Sequence, residues 1–177
     1  LLSVLPLEKG EVLRKDTDTL LKALAQVVRV FPYVKLVIVG EKGGGYPLLN
    51  QTVKDLRIED NVVFEGLVPF SRLLQLYNQC DIFVLPSLHE GFPTVCAEAQ
   101  ACGKPVISTD ASSMPEVIVN MKSGVLVSPR NHRELADAII RLLENGKIMV
   151  EMGRFGREVV ANNFSREVRK VKLGRLL

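Results

Sequence analysis

The sequence predicts an α/β domain: a doubly wound parallel sheet of about six strands between two helical layers. Three observations carry that expectation. Apolar runs without polar alternation recur along the chain, apolar stripes at helical spacing lie between them, and the joins are short. Strands buried on both faces read as such runs, and right-handed strand–helix–strand units lay them side by side in parallel.

The runs are Leu2-Ser3-Val4-Leu5, Val34 to Val39, Val62-Val63-Phe64, Ile82 to Leu85, Pro105-Val106-Ile107 and Val125-Leu126-Val127. After the first, Leu20, Leu24, Val27, Val28 and Phe31 form one continuous helical stripe. Leu73, Leu76 and Tyr77 mark a shorter helix before the fourth run. Val95, Ala99 and Cys102 mark another after it, and Leu135, Ala138, Ile139, Leu142 and Leu143 one after the sixth. Asn131 with Glu134 three residues on reads as the cap of that helix, and Gly146 as its stop. From residue 147 onward the strands cease, and Met149–Asn163 and Ser165–Leu177 read as two closing helices broken at Asn162-Asn163-Phe164. Residues 1–177 are expected to form one domain, with no internal repeat and no linker long enough to divide it.

The composition is globular, with 47% hydrophobic and 24% charged residues and a net charge of +3. The basic residues are spread out except for Arg166, Arg169, Lys170, Lys172 and Arg175. That pattern favours a small anionic ligand and does not make a nucleic-acid stripe. The terminal cluster reads as a solvated helix face, with peripheral membrane contact as the alternative. Cys80, Cys96 and Cys102 lack metal or redox spacing and read as reduced thiols of a cytoplasmic protein. The apolar start, Leu1 to Leu7, is too short for a signal or a membrane span, and a chain opening there without methionine is expected to be a fragment cut at a domain edge.

Chemistry concentrates in His89-Glu90-Gly91-Phe92-Pro93-Thr94-Val95-Cys96-Ala97-Glu98, which follows the fourth apolar run. Pro93-Thr94 reads as a helix start, because proline's fixed φ and missing N–H suit a first turn. Glu90 then lies on the loop and Glu98 one turn inside the helix. This edge of an open α/β sheet is where ligands sit. The N–H groups of Thr94, Val95 and Cys96 and the helix dipole would make a phosphate site. A carboxylate touching that phosphate would be repelled by about 1 to 4 kcal/mol, so both glutamates are expected to grip hydroxyls. Two plainer readings stay open at this point: a helix carboxylate beside an unrelated loop acid, and a glycosidase pair, which needs carboxyls facing each other across a substrate.

Pro86-Ser87, Glu90-Gly91-Phe92-Pro93-Thr94, Glu98-Ala99, Ala101 to Ile107, Pro115-Glu116-Val117 and Gly124 to Val127 together resemble one family. It is the carboxyl-terminal nucleotide-sugar domain of retaining family 4 (group 1) glycosyltransferases, one Rossmann-like half of a GT-B fold. The resemblance implies that Glu90 meets the donor sugar near the reacting centre and Glu98 the ribose hydroxyls. Gly91, Phe92, Pro93, Thr94 and Val95 would then supply backbone room and N–H groups. It also implies no metal and no cofactor, with an Arg and a Lys stabilising the departing diphosphate.

Lys15 fits the lysine, since Lys15-Asp16-Thr17-Asp18-Thr19-Leu20-Leu21-Lys22-Ala23 follows the family's Lys-Gly-x-Asp-x-Leu-Leu-x-Ala, with Asp16 for the glycine. Lys9-Gly10 is a poorer match. The family's Gly-Arg is replaced by Leu5-Pro6, leaving Arg14 as the neighbouring cation; a solvated helix entrance is the plain alternative for Arg14 and Lys15. Gly40 matches a strand-end glycine near the donor, and Val68 falls where the family reads the base. Gly43-Gly44-Gly45 lacks the P-loop Lys-Ser/Thr and reads as a turn. His89 is expected to be incidental and His132 to lie on the surface. The implied partners are a UDP-, GDP- or ADP-sugar donor and a sugar, lipid or polysaccharide acceptor held by an N-terminal domain absent here, without which transfer would be poor. A non-catalytic nucleotide-sugar-binding module is the alternative, and a GT-B-like epimerase a third.

Overall fold

Every apolar run becomes a strand, and strand order then sets where the loops converge. In the computed structural model, which describes residues 1–164, the strands are β1 (Leu2–Val4), β2 (Leu36–Val39), β3 (Val62–Gly66), β4 (Phe83–Leu85), β5 (Val106–Thr109) and β6 (Gly124–Val127). All pair in parallel in the order β3-β2-β1-β4-β5-β6, with Leu2 opposite Val37 on one side and Phe83 on the other. The central strands are buried on both faces: Leu2, Ile38, Phe83, Val84 and Ile107 are almost wholly excluded from water. That is why these runs carry no alternation.

The helices are α1 (Lys9–Arg14), α2 (Thr17–Val30), α3 (Tyr46–Asp55), α4 (Phe70–Gln79), α5 (Thr94–Ala101), α6 (Met114–Val117), α7 (His132–Glu144) and α8 (Gly146–Phe164). Right-handed crossovers put α2 and α3 on one face and α4 and α5 on the other. There α7 packs on α2 and α8 on α5. Helix α3 was not legible as periodicity, because only Leu49 and Val53 are buried on it; its signal is Pro47 in the first turn. Helices α1 and α6 are too short to show a stripe.

Three expectations change. No break occurs at Asn162-Asn163-Phe164: α8 runs through to Phe164, whose ring lies edge-on to Phe92 at 5.3 Å, while the Asn163 amide donates to the Val159 carbonyl. Gly146 opens α8 instead of ending α7, with Asn145 alone between them. His132 is half-buried, its Nδ1 2.6 Å from the Gln26 amide, tying α7 to α2. The second closing helix over Ser165–Leu177 and its basic cluster lie outside the described residues. Among the described residues, no helix is long and apolar enough to cross a membrane.

The strand order reverses between β1 and β4, so the connections that follow those two parallel strands leave toward opposite faces of the sheet. In open α/β sheets the crevice between them is the ligand position. It is where the chain brings its charges together.

Candidate functional site

The loop after β4 is stitched to the α1–α2 junction, which follows β1. The Arg14 carbonyl accepts from the Leu88 N–H at 2.8 Å and from the Ser87 hydroxyl at 3.2 Å. That holds Glu90 against the end of α1. Lys15, only 8% exposed, donates from Nζ to Glu90 Oε1, and Arg14 donates to Glu90 Oε2 at 3.3 Å and to the His89 carbonyl. Glu90 is itself 8% exposed. Lys15 is therefore no solvated helix entrance but turns inward onto Glu90, and Arg14, a third of whose side chain stays exposed, reaches the same carboxylate from the rim.

Glu11, missed from the sequence, grips Arg14 from the other side, with Oε2 2.6 Å from one guanidinium nitrogen and Oε1 3.2 Å from Nε. That bond holds the Glu11 carboxyl below its usual range and pushes the Arg14 guanidinium further up. The i, i+3 spacing of Glu11 and Arg14 was the available signal.

Asp16 sits where the family pattern has glycine, and its φ of 50° shows why: the chain turns left-handed between α1 and α2. Glycine adopts that conformation freely, and aspartate is one of the few other residues that tolerate it. Burial raises the Asp16 carboxyl's pKa, and its Oδ2 has no hydrogen-bond partner among the described residues.

Pro93 has φ −78° and ψ 72°, an inverse γ-turn that ties the Thr94 N–H to the Phe92 carbonyl at 2.8 Å. Cys96 and Ala97 both donate to the Pro93 carbonyl. The expected row of three free amides is therefore reduced to one: among the described residues, only the Val95 N–H of the three lacks a backbone acceptor. Gly91 is exposed, its φ is not positive, and a Cβ built there would meet nothing within 4 Å. Neither conformation nor protein packing calls for glycine at that position, whereas close approach by a ligand would.

Glu98 is half-buried on α5 and accepts from the Tyr77 hydroxyl of α4 at 2.8 Å. Burial, and then the charge of Glu98 beside it, push the Tyr77 phenol far above its ordinary range, so it remains a donor. Tyr77 read as core from its stripe; its second role depends on α4 and α5 lying side by side. Phe92, Thr94, Ala97, Glu98 and Phe164 line a groove of about 330 Å³. A larger cleft of about 650 Å³ opens beside Leu13, Asp16, Leu88 and His132, and neither glutamate lines it.

Gly40 and Val68 stay apart from this cluster, on the loops after β2 and β3. A Cβ on Gly40, whose φ is 154°, would fall 1.8 Å from the Leu5 carbonyl oxygen, so packing alone demands glycine there. Val68 is half-buried against the core. Leu5 is buried and Pro6 exposed, and neither offers a charge. Lys9 is exposed on α1. Gly43 and Gly45 pack against Glu8 and Leu7, a turn held to the loop after β1. The three cysteines are free thiols; burial raises all three, Cys80 to about 11. Among the described residues, no group of three or more His, Cys, Asp or Glu side chains is placed to hold a metal ion.

A D-inositol 3-phosphate glycosyltransferase of Segniliparus rotundus is 34% identical over 145 residues, covering 80% of this chain and 32% of that protein. A GDP-mannose-dependent alpha-(1-6)-phosphatidylinositol monomannoside mannosyltransferase of Mycobacterium tuberculosis is 34% identical over 172 residues, covering 93% of this chain and 44% of that protein. The chain thus spans less than half the length of these relatives. Sucrose-phosphate synthase of Thermosynechococcus elongatus superposes with a TM-score of 0.88 at 28% identity, over 99% of this chain and 44% of the other. The C-terminal domain of a group 1 glycosyl transferase of Francisella tularensis shares the fold, with a TM-score of 0.82 at 24% identity over 93% of this chain and 86% of that one. The sheet is the Rossmann-like half of a GT-B fold, and the profile of the glycosyl transferases group 1 matches residues 11–159: the chain belongs to that family.

Proposed function

We propose that this chain is the donor-binding domain of a retaining, metal-independent glycosyltransferase that takes a nucleoside-diphosphate sugar. The observation that carries the reading is the convergence of Lys15, Arg14 and Glu90 at the sheet's switch point, with Glu98 one turn inside the adjoining helix. Glu90 addresses the hydroxyls of the donor sugar. Glu98, steadied by Tyr77, accepts from the ribose diol, and a carboxylate can take both hydroxyls of a vicinal pair. Lys15, Arg14 and the Val95 N–H face the diphosphate, and preorganised donors of this kind each contribute a few kcal/mol to a leaving group's stabilisation, about 3 kcal/mol being typical.

The reaction is a front-side displacement. The bond from the anomeric carbon to the diphosphate breaks, the acceptor oxygen bonds to that carbon on the same face, and the acceptor's proton passes to the departing diphosphate oxygen. Arg14 takes the place of the arginine that Leu5-Pro6 lacks. Acceptor binding falls to a domain beyond these residues, so the 177-residue chain binds donor and transfers poorly. The basic residues from Arg166 onward suit a partner at a membrane face, and the free thiols suit the cytoplasm.

Calorimetry with UDP, GDP and ADP tests the reading, with one of the three expected to bind. Absence of binding by all three, or binding untouched by Glu98→Ala, sinks it. Leu5-Pro6 favours a second reading, a nucleotide-sugar-binding module without turnover. Loss of transfer in the Glu90→Ala variant of the longer protein would dismiss that alternative.

A further inference from the structure

Resting on this donor-site reading, we infer that Ser112 and Ser113 are positioning residues that hold the Glu90 peptide and so aim its carboxylate at the donor sugar. The Ser112 hydroxyl donates to the Glu90 carbonyl at 2.7 Å and accepts from the Glu90 N–H at 3.3 Å. The Ser113 hydroxyl donates to the same carbonyl at 2.9 Å. The two peptide units flanking Glu90 on an irregular loop are thus held by two side chains from the next connection of the sheet.

Each serine forgoes what its own backbone would favour. Ser112 has φ 54°, a left-handed conformation in which glycine would be unstrained. Ser113 is the N-cap residue of α6, where a serine hydroxyl ordinarily accepts from the helix's first amides, yet it makes no cap bond and turns to Glu90. The pair continues a ladder of hydroxyls along β5. Ser108 donates to the Leu85 carbonyl and Thr109 to the Ser87 carbonyl, so the loop after β4 is gripped at Leu85, Ser87 and Glu90 in succession. Lys15 and Arg14 fix the carboxylate end of Glu90 and the serines its backbone end, which leaves the side chain little freedom. A misplacement of about 1 Å in such a group can cost about a hundredfold in rate.

The roles assigned to the two glutamates supply the test. Glu90 meets the sugar, so loosening it should weaken a nucleotide sugar and spare the free nucleotide. Ser112→Gly, Ser113→Ala and their combination are titrated with UDP-glucose, GDP-mannose and ADP-glucose, and with UDP, GDP and ADP. For the base that the unaltered chain binds, the double variant is expected to lose about tenfold in affinity for the sugar nucleotide and to change less than about twofold for the diphosphate. Ser113→Thr, which keeps the hydroxyl, is expected to restore most of the loss. Ser112→Gly should still fold, because glycine suits the positive φ and so offsets part of the loss of the two hydrogen bonds. Equal affinities of the double variant and the unaltered chain for the sugar nucleotide overturn the inference and leave the donor-site reading standing. Parallel losses for sugar nucleotide and free diphosphate also overturn it, since they mark a general structural role. If the unaltered chain binds none of the six compounds, the donor-site reading falls and the inference with it.

Discussion

Glu90 and Glu98 are the same side chain at the same edge of the sheet, and their surroundings are opposite. Glu90 is 8% exposed, pressed between two cations, and held by residues from two other connections of the sheet, β1–β2 and β5–β6. Glu98 is half-buried on a regular helix, with the Tyr77 hydroxyl as the one hydrogen-bond partner of its carboxylate among the described residues. The difference follows from how each is placed. A helix positions Glu98 through its own backbone, so one neighbour suffices. Glu90 sits on an irregular loop, and only the strand order that sets β4 beside both β1 and β5 gives it partners. A buried carboxylate needs such partners, because burying an unpaired charge is costly.

The largest expected effect tests this contrast directly. Lys15→Met leaves Glu90 buried with Arg14 alone and should cost about 3 kcal/mol in urea unfolding, as breaking a buried ion pair does. Glu98→Gln should cost less than about 1 kcal/mol, since only one hydrogen bond changes. Adding Glu90→Gln to Lys15→Met should recover most of the loss, and a double-mutant cycle reads that coupling. If the two single variants cost the same, the environments are not energetically distinct.

In binding the order reverses. Glu98→Ala should weaken free nucleoside diphosphate by tenfold or more, because a charge-assisted pair of bonds is worth about 1.5 to 3 kcal/mol. Glu90→Gln should change it by less than about threefold. Matching losses in calorimetry would show that the carboxylates share one role. Tyr77→Phe is a milder probe of the same side, expected to cost about 1 kcal/mol of stability and a few-fold in nucleotide affinity. Because folding raises the Tyr77 phenol from its ordinary value of 10.0, the unfolded chain loses that proton first, so the contribution to stability should be intact at pH 7 and should begin to fall as pH passes about 10. A stability decline above about pH 10 that persists unchanged in Tyr77→Phe would contradict this.

The smallest effect concerns a third carboxylate, which has neither arrangement. Asp16 is left-handed, partly buried and has an unpartnered oxygen, so Asp16→Gly should stabilise by about 1 kcal/mol. A carboxyl whose pKa is raised on folding binds more protons folded than unfolded. The unaltered chain therefore loses stability as pH rises from the ordinary aspartate value through the raised one. The gain from Asp16→Gly should then be larger at pH 7 than at pH 3, as thermal melts at both values would show.

Much of the site was legible because its residues are consecutive or nearly so. The stretch from Glu90 to Glu98 crosses one loop and one helical turn, and proline marks the boundary between them. The partners were not legible. Tyr77 read as a core residue, and Ser112 and Ser113 carry no stripe or motif of their own. The free amides expected at Thr94 and Cys96 were lost to the turn at Pro93, whose ψ no sequence pattern specifies.

By itself the sequence determined the α/β class, the positions of all six strands, the helix that carries Glu98 and the match of Lys15 to a family pattern in which Asp16 stands for a glycine. Those depend on side-chain periodicity and on backbone preferences, which act within a few residues. Tertiary structure alone decided that Lys15 and Arg14 reach Glu90, that Tyr77 reaches Glu98, and that two serines from the β5–α6 loop hold the Glu90 peptide. Such contacts join residues 21 to 76 positions apart, and they exist only once the parallel sheet has placed β1, β4 and β5 side by side.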